Sequence, residues 1–584
     1  MTRLWNDPAD FADEMIDGFV AANERSVRRV PGGVIRSTVV PEGQVAVVIG
    51  GGSGHYPAFG GLVGQGLAHG AAMGNLFASP STQQVHSVAA AVDRGAGVFL
   101  SYGNYAGDVL NFDAAQARLR DEGIACETVV VTDDIFSAPP SEKHRRRGIA
   151  GDLTVFRIAA AAAEAGYDLA GVTRIASVAN ERTRSFGVAF TGCTLPGAPQ
   201  PLFTVPAGRM AIGLGIHGEP GIEETDIPTA DDLADLLVEK LLAEIPDAVD
   251  IAGARVVPIL NGLGSLKYEE MFVVYRRIAE RLTDAGLVLV DPHVGEYCTS
   301  FDMAGTSLTL FWLDEELETL WETPVDTPAY RRGSVATAAR AEVAASSVAA
   351  AEEAIERGDE ESVEVAALIR SALQVIVDVV DANVDELGRI DAIAGDGDHG
   401  IGMQRGSHAA LVAGAAAADA GAGAQTVLAH AADAWADKAG GTSGLLWGVI
   451  LNELATHLGD AGRPTANDVA AGVAAAAQGV HAYGKAEVGD KTLVDALVPF
   501  STELADAIDA GGAFTDAWTR AAVAATSAAA ATSDLLPRLG RARTHGEHSL
   551  GTPDPGAVSL SLIVTAVGDL LTSASTAPKA SHHA

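Results

Sequence analysis

Near residue 330 this chain changes its repeat, and no single core can accommodate both parts. Upstream, short β-branched runs lead into glycine loops and alternate with alanine-rich segments. Downstream, apolar residues recur at steps of three and four, the period of a helix with one buried face. A length of 584 residues also exceeds what one hydrophobic core holds, and implies about three or four domain-sized units. The fold class expected is therefore multidomain. An α/β half of two α/β subdomains, at residues 1–184 and 185–327, precedes a linker at 328–362 and an all-α bundle or barrel of about eight helices at 363–572. Residues 573–584, small and polar with two histidines, read as a disordered tail.

Charge narrows the partners. Lys and Arg number 39 against 76 Asp and Glu, a formal net charge of −37, which repels phosphate backbones and anionic lipid surfaces. Nucleic acid and membrane are excluded on that ground. No secretory leader is visible at the N-terminus, nor is there an apolar run of about twenty residues free of turn signals, which a spanning helix requires. Cys126, Cys193 and Cys298 are too widely spaced for a zinc motif, and a cytoplasmic protein with reduced thiols is expected.

In the α/β half, residues 5–30 read as a helix. Val45 to Ile49 then form a short strand that ends in Gly50-Gly51-Gly52-Ser53-Gly54-His55. Open α/β sheets place ligands at the C-terminal ends of their strands. This loop does not satisfy the dinucleotide pattern, because Pro57 occupies the third glycine position. Gly97 to Ser101 lead in the same way to Gly103-Asn104-Tyr105-Ala106-Gly107-Asp108, and Glu127 to Val131 lead to Asp133 and Asp134. Such alternation predicts a mostly parallel sheet, with His55 and Asp108 at strand ends, where imidazole and carboxylate can exchange protons with a substrate hydroxyl. His217 lies between glycines after an apolar run. It can attack a carbonyl, bind a metal or cap a turn.

The helical half carries Ile369, Leu373, Ile376, Val380, Val384 and Leu387 on one helical face, which stops just before Asp391-Ala-Ile-Ala-Gly-Asp396-Gly-Asp398-His399-Gly400. Three carboxylates in eight residues suit a hard divalent cation such as Mg²⁺ bridging substrate phosphates. Taken alone the loop is equally a solvated acidic turn. Gly440-Gly441-Thr442-Ser443-Gly444 opens a later helix, and the unpaired amides of a helix start attract anions.

Six motifs in order, Gly50 to Pro57, Asn104 to Asp108, Gly215 to Glu219, Asp391 to His399, Gly441 to Gly444 and Gly489 to Thr492, resemble those of the dihydroxyacetone (glycerone) kinase family in its single-chain, ATP-dependent form. The resemblance implies that His217 captures the carbonyl carbon of a short ketose as a hemiaminal. It also implies that Asp108 accepts the proton of the attacking hydroxyl, and that His55, with Gly52, Ser53, Gly54 and Gly103, contacts the sugar. Asp391, Asp396 and Asp398 would hold Mg²⁺. His399, Gly400, Ile401, Gly402, Thr442, Ser443, Gly484, Leu493, Arg541, Asp554, Pro555 and Gly556 would surround ATP. A homodimer through the α/β half is implied as well.

One departure bears on substrate. Many family members carry a lysine immediately before the Asn-Tyr-x-Gly-Asp motif, where this chain has Gly103. Losing that long cation leaves space, which favours a four-carbon ketose such as erythrulose over dihydroxyacetone. Gly402 also stands where relatives often have asparagine. Two rival readings keep the fold: an FAD-AMP lyase producing cyclic FMN, and a non-enzymatic ketose-sensing regulator.

Overall fold

The computed structural model describes residues 4–198, 200–213, 215–216, 223–247, 249–336, 338–341, 355–393, 395, 397–539 and 549–576. The chain divides into two compact units, Met1–Val348 and Ala349–Ala584.

In the first unit, helix α1 (Phe11–Ala22) precedes strands β1 (Val27–Val30), β2 (Gly33–Arg36), β3 (Ala46–Gly52), β4 (Gly70–Gly74), β5 (Val98–Gly103) and β6 (Cys126–Val131), which form one sheet in the order β1-β2-β4-β3-β5-β6. Pairing is parallel from β4 through β3 and β5 to β6, and antiparallel between β1, β2 and β4. The helix expected over residues 5–30 is thus shorter, because the β-branched ends of Val27–Val30 pair with β2 instead. Helices α2 (Thr82–Val92) and α3 (Ala106–Asp121) cover one face, burying Val85, Val88, Phe112 and Leu119 against β3 and β5. Ser81 and Gln84 cap α2 reciprocally.

Helices α4 (Asp152–Glu164) and α5 (Leu169–Glu181) cover the other face. A second sheet follows. It is built from β7 (Thr183–Ala189), β8 (Arg209–Ile212), β9 (Glu223–Asp226), β10 (Arg255–Gly262), β11 (Val288–Leu289), β12 (His293–Gly295) and β13 (Gly305–Trp312). Here most pairings are antiparallel, and only β11 and β12 run parallel to β10. The α/β expectation therefore holds while the mostly parallel sheet is confined to the first subdomain. Phe186, Leu260 and Leu310 pack on α6 (Ala230–Leu242) and α7 (Tyr268–Asp284), whereas Val257, Ile259 and Phe311 face α4. Every residue of α4 from Asp152 to Ala163 is buried. That is the burial expected of a helix with apolar residues all round, and its alanines let both sheets approach. The terminal nitrogens of Arg157 within it donate to the carbonyls of Gly66, Trp321 and Thr323.

Helix α8 (Glu315–Trp321) is followed by a ribbon of β14 (Val325–Asp326) and β15 (Arg331–Arg332). Pairing therefore continues past Pro328, where a strandless linker was expected, and Arg332 is anchored there by Asp291.

The second unit holds nine helices among the described residues: α9 (Glu360–Asp381), α10 (Val384–Asp391), α11 (His399–Asp419), α12 (Ala424–Ala439), α13 (Gly441–Leu458), α14 (Ala466–Gly484), α15 (Val494–Asp509), α16 (Phe514–Ala531) and α17 (Pro555–Thr576). Successive helices from α11 to α17 pack side by side and α17 returns to α9, which also touches α11, so eight helices close a ring and short α10 sits at one end. The single amphipathic helix expected before Asp391 is broken at Asn383, and Asp391 is the last residue of α10. Stacked Trp435 and Trp447, 4.9 Å between ring centroids, and edge-on Phe500 and Trp518 fill the interior. Within α17, Pro555–Ala574 is long and apolar enough to cross a membrane by length and composition, contrary to the sequence expectation. It buries Ala557, Leu560, Ile563 and Val564 in the helical core.

Candidate active site

Strands β3, β5 and β6 lie side by side and parallel, so their C-terminal ends bring Gly52 to His55, Gly103 to Asp108, and Asp133 with Asp134 to one edge. The glycine loop is shaped by close packing. A Cβ at Gly52 or Gly54 would meet the Leu76 carbonyl at 2.4 or 2.7 Å. The Ser53 and Gly54 amides donate to the Asn75 and Leu76 carbonyls, so these two amides are spent within the fold. The Ser53 hydroxyl is buried and has no partner among the described residues.

His55 is buried, stacked on Phe77 with centroids 5.0 Å apart, and its Nδ1 donates to the Thr299 carbonyl at 2.7 Å. Asp108 is buried in the first turn of α3, where the helix dipole favours negative charge. Asn104 is half-buried. Its amide donates to the His144 and Arg146 carbonyls and ties the end of β5 to that loop.

His217 lies outside the described residues. Its neighbour Ile216 accepts a hydrogen bond from the Ser300 hydroxyl. Residues 299 and 300 therefore hold His55 on one side and the approach to His217 on the other.

Three buried groups here were assigned no role from the sequence. Asp133 accepts the amides of Ile149 and Gly151, both at 2.8 Å, and burial pushes its carboxyl up to about 6. Asp152, the first residue of α4, is raised well above the ordinary range by burial, with Asp133 and Asp108 adding to it. The Cys298 thiol is raised by burial and then by those same two carboxyls, Asp152 and Asp133. The only signal in the sequence was their position after predicted strands or beside a helix start.

In the helical unit, Asp391 Oδ2 accepts the His399 amide at 3.2 Å, and Asp398 immediately precedes α11. Asp396 and Arg541 lie outside the described residues. The His399 ring meets the Ser559 hydroxyl at 3.0 Å and the Ser443 hydroxyl at 3.5 Å, drawing α11, α13 and α17 together. Burial lowers its proton affinity, which favours the neutral ring. Thr442 and Ser443 stand in the first turn of α13, which begins directly from α12 through Gly440 and Gly441 at φ 63° and 59°, a path that glycine takes without strain.

Gly400 packs against the Val384 carbonyl, Ile401 is exposed, and a Cβ at Gly402 would come 3.8 Å from the Ala439 carbonyl. Gly484 closes α14 beside Leu446. Asp554 caps α17 through the Ala557 amide at 2.7 Å, ahead of Pro555 at the first helical position, and Gly556 lies against Leu493.

Burial raises the carboxyls of Asp398 and Asp554, the latter to about 7; Asp391 adds to both, and Asp495 also raises Asp554. Among the described residues no three His, Cys, Asp or Glu side chains form a ready metal cluster. The donors are nevertheless all oxygen, and mutual repulsion of Asp391, Asp398 and Asp554 is what a hard cation relieves, so the residues fit Mg²⁺.

The chain matches a Dak1 domain over residues 17–329 and a DAK2 domain over residues 393–569. It is 58% identical over 577 residues to an L-erythrulose kinase of Pectobacterium atrosepticum, covering 99% of this chain and 98% of that one. It is 52% identical over 576 residues to a D-erythrulose kinase of Mycolicibacterium smegmatis, covering 98% and 99%. The dihydroxyacetone kinase from C. freundii, solved in complex with AMP-PNP and Mg²⁺, aligns with a TM-score of 0.52 and 30% identity over 97% of this chain and 99% of that chain. With both domain types in one polypeptide and a match along nearly its whole length, this chain belongs to the dihydroxyacetone kinase family.

Proposed function

We propose that this protein is an ATP-dependent kinase that phosphorylates a terminal hydroxyl of a short-chain ketose, erythrulose in preference to dihydroxyacetone. The observation that carries this is the strand-end site. There Thr299 and Ser300 bind His55 and the residue preceding His217, and Asp108 opens the adjacent helix. Similarity to erythrulose kinases over nearly the full length supports the four-carbon preference.

The chemistry follows from the side chains. The His217 ring nitrogen adds to the ketose carbonyl carbon, giving a hemiaminal. Glycerol has no electrophilic carbon, so covalent capture selects ketoses by reactivity as well as fit. Asp108 accepts the proton of the terminal hydroxyl as its oxygen attacks phosphorus, and His55 hydrogen-bonds the sugar. Mg²⁺, held by Asp391, Asp396 and Asp398, would neutralise the phosphates of ATP. His399, Thr442, Ser443 and the start of α13 bind the phosphates, while Gly484, Leu493, Arg541, Asp554 and Gly556 line the nucleotide. Three buried free thiols accord with a cytoplasmic setting, and a homodimer is the assembly to look for by light scattering.

The deciding experiment is a coupled ADP-release assay over dihydroxyacetone, both erythruloses, glyceraldehyde and glycerol. Highest kcat/KM with an erythrulose is expected. No turnover of any ketose overturns the kinase reading, and preference for dihydroxyacetone overturns the substrate.

A further inference from the structure

Asp152 is a buried carboxyl with one oxygen left unpaired among the described residues. It is 2% exposed, and its Oδ1 has no hydrogen-bond partner among the described residues. Leaving a buried polar atom unpaired is costly, so its retention calls for a reason outside the packing. Its placement is also built deliberately. Asp133 clamps the amides of Ile149 and Gly151, fixing the turn that delivers Asp152 to the start of α4.

Asp152 packs closely against Gly103 at the end of β5. A Cβ there would come 3.4 Å from Asp152 Oδ2, 3.3 Å from the Tyr105 ring and 3.2 Å from the Gly148 carbonyl. Gly103 ends β5, five residues before Asp108, and Asp108 is close enough to raise the proton affinity of Asp152. On its other side Asp152 acts on Cys298, the residue before Thr299, which holds His55. Asp152 thus stands at the same strand-end site as His55 and Asp108.

We propose that Asp152 is a substrate-binding group that sets ketose chain length: its carboxyl hydrogen-bonds the terminal hydroxyl by which a four-carbon ketose exceeds dihydroxyacetone, beside the end of β5. The proposal rests on the ketose reading of this site. A neutral carboxyl both donates and accepts, as a hydroxyl does, so the two make a complementary pair. A site built to bond a hydroxyl also rejects the analogue that lacks it far better than an apolar pocket can, since its own polar group then stays unpaired.

The test reads ketose binding to the full-length protein by calorimetry without nucleotide, so it is separate from turnover. The probes are erythrulose, 1,3-dihydroxybutan-2-one, which lacks only the terminal hydroxyl, and dihydroxyacetone. Wild-type protein is expected to bind erythrulose at least about tenfold more tightly than the deoxy ketose. Asp152→Leu, with melting run alongside, should lose that difference while dihydroxyacetone binding changes less than about threefold, and Asp152→Asn, which keeps donor and acceptor, should retain it. Equal wild-type affinity for erythrulose and the deoxy ketose overturns the proposal, as does equal weakening of all three ketoses in folded Asp152→Leu. If that variant does not fold, the wild-type comparison decides. Selective erythrulose binding in a protein that turns over no ketose would overturn the kinase reading and leave this one standing.

Discussion

His55 and Thr299, 244 positions apart, meet through a 2.7 Å hydrogen bond between the ring Nδ1 and the Thr299 carbonyl oxygen. A carbonyl can only accept, so Nδ1 carries a proton, and in the neutral form Nε2 is the acceptor. Phe77, stacked at an interplanar angle of 11°, and Phe59, edge-on at 90°, fix the ring plane. His55→Asn keeps a polar group but loses this geometry. It is expected to lower kcat/KM for the preferred ketose by about 10²-fold, with the ATP KM unchanged in steady-state assays. Unchanged kcat/KM would reduce His55 to a packing residue.

Asp108→Asn keeps the side-chain shape at the start of α3 but cannot take a proton. The expected outcome is a kcat lower by about 10²–10⁴-fold, with ketose affinity by calorimetry within about threefold of wild type and the melting temperature little changed, since the dipole interaction lost is about 0.3–1 kcal/mol. Loss of binding together with kcat would make Asp108 a positioning residue instead.

These two positions were legible in the sequence because strand ends announce themselves: a β-branched run followed by glycine places the next polar residue at the sheet edge. The helical ring was legible for a similar reason, from its period. What stayed hidden depends on tertiary neighbours. Thr299 is an ordinary threonine until the second sheet brings it to His55, and Asp152 reads as a helix-start carboxylate until burial removes its water. The antiparallel second sheet was also unreadable, because buried parallel and antiparallel strands show the same apolar runs. The break at Asn383 escaped because the apolar spacing runs on through it.

His217→Ala tests covalent capture. Removing the ring nitrogen leaves fit alone to hold the ketose, so KM is expected to rise by at least about tenfold and discrimination against glycerol to fall. Wild-type protein examined with carbonyl-labelled ketose by NMR should report a tetrahedral carbon that His217→Ala lacks. A variant with unchanged KM and unchanged discrimination would mean that the ketose is bound without a covalent bond.

Asp554 has two jobs in one side chain. Its Oδ2 accepts the Ala557 amide and starts α17, while its carboxyl lies close enough to Asp391 and Asp495 to be raised by both. Asp554→Ala is expected to destabilise the helical unit by about 1 kcal/mol through the lost cap, seen as a lower denaturant midpoint, and to raise the ATP KM. Asp554→Ser restores a cap without the charge. It should recover the stability and leave the ATP KM raised, and recovery of both would remove Asp554 from the nucleotide site.

Asp391 and Asp398 differ in what else they support, which allows metal binding and structure to be separated. Asp391 Oδ2 accepts the His399 amide and so orients α11, whereas no such bond to another residue's amide ties Asp398 among the described residues. Asp398→Asn removes a charge and a strong cation ligand with little change of shape. At saturating ATP it is expected to shift the Mg²⁺ concentration for half-maximal rate upward by about tenfold or more, with the melting temperature unchanged. Asp391→Asn should show the same shift together with a lower melting temperature, because the amide oxygen is a weaker acceptor for the His399 amide. The double variant should then show a Mg²⁺ shift that differs from the sum of the two in free energy, since groups bound to one ion are coupled. Strict additivity, measured as three Mg²⁺ titrations against wild type, would mean that the two carboxylates do not share a cation.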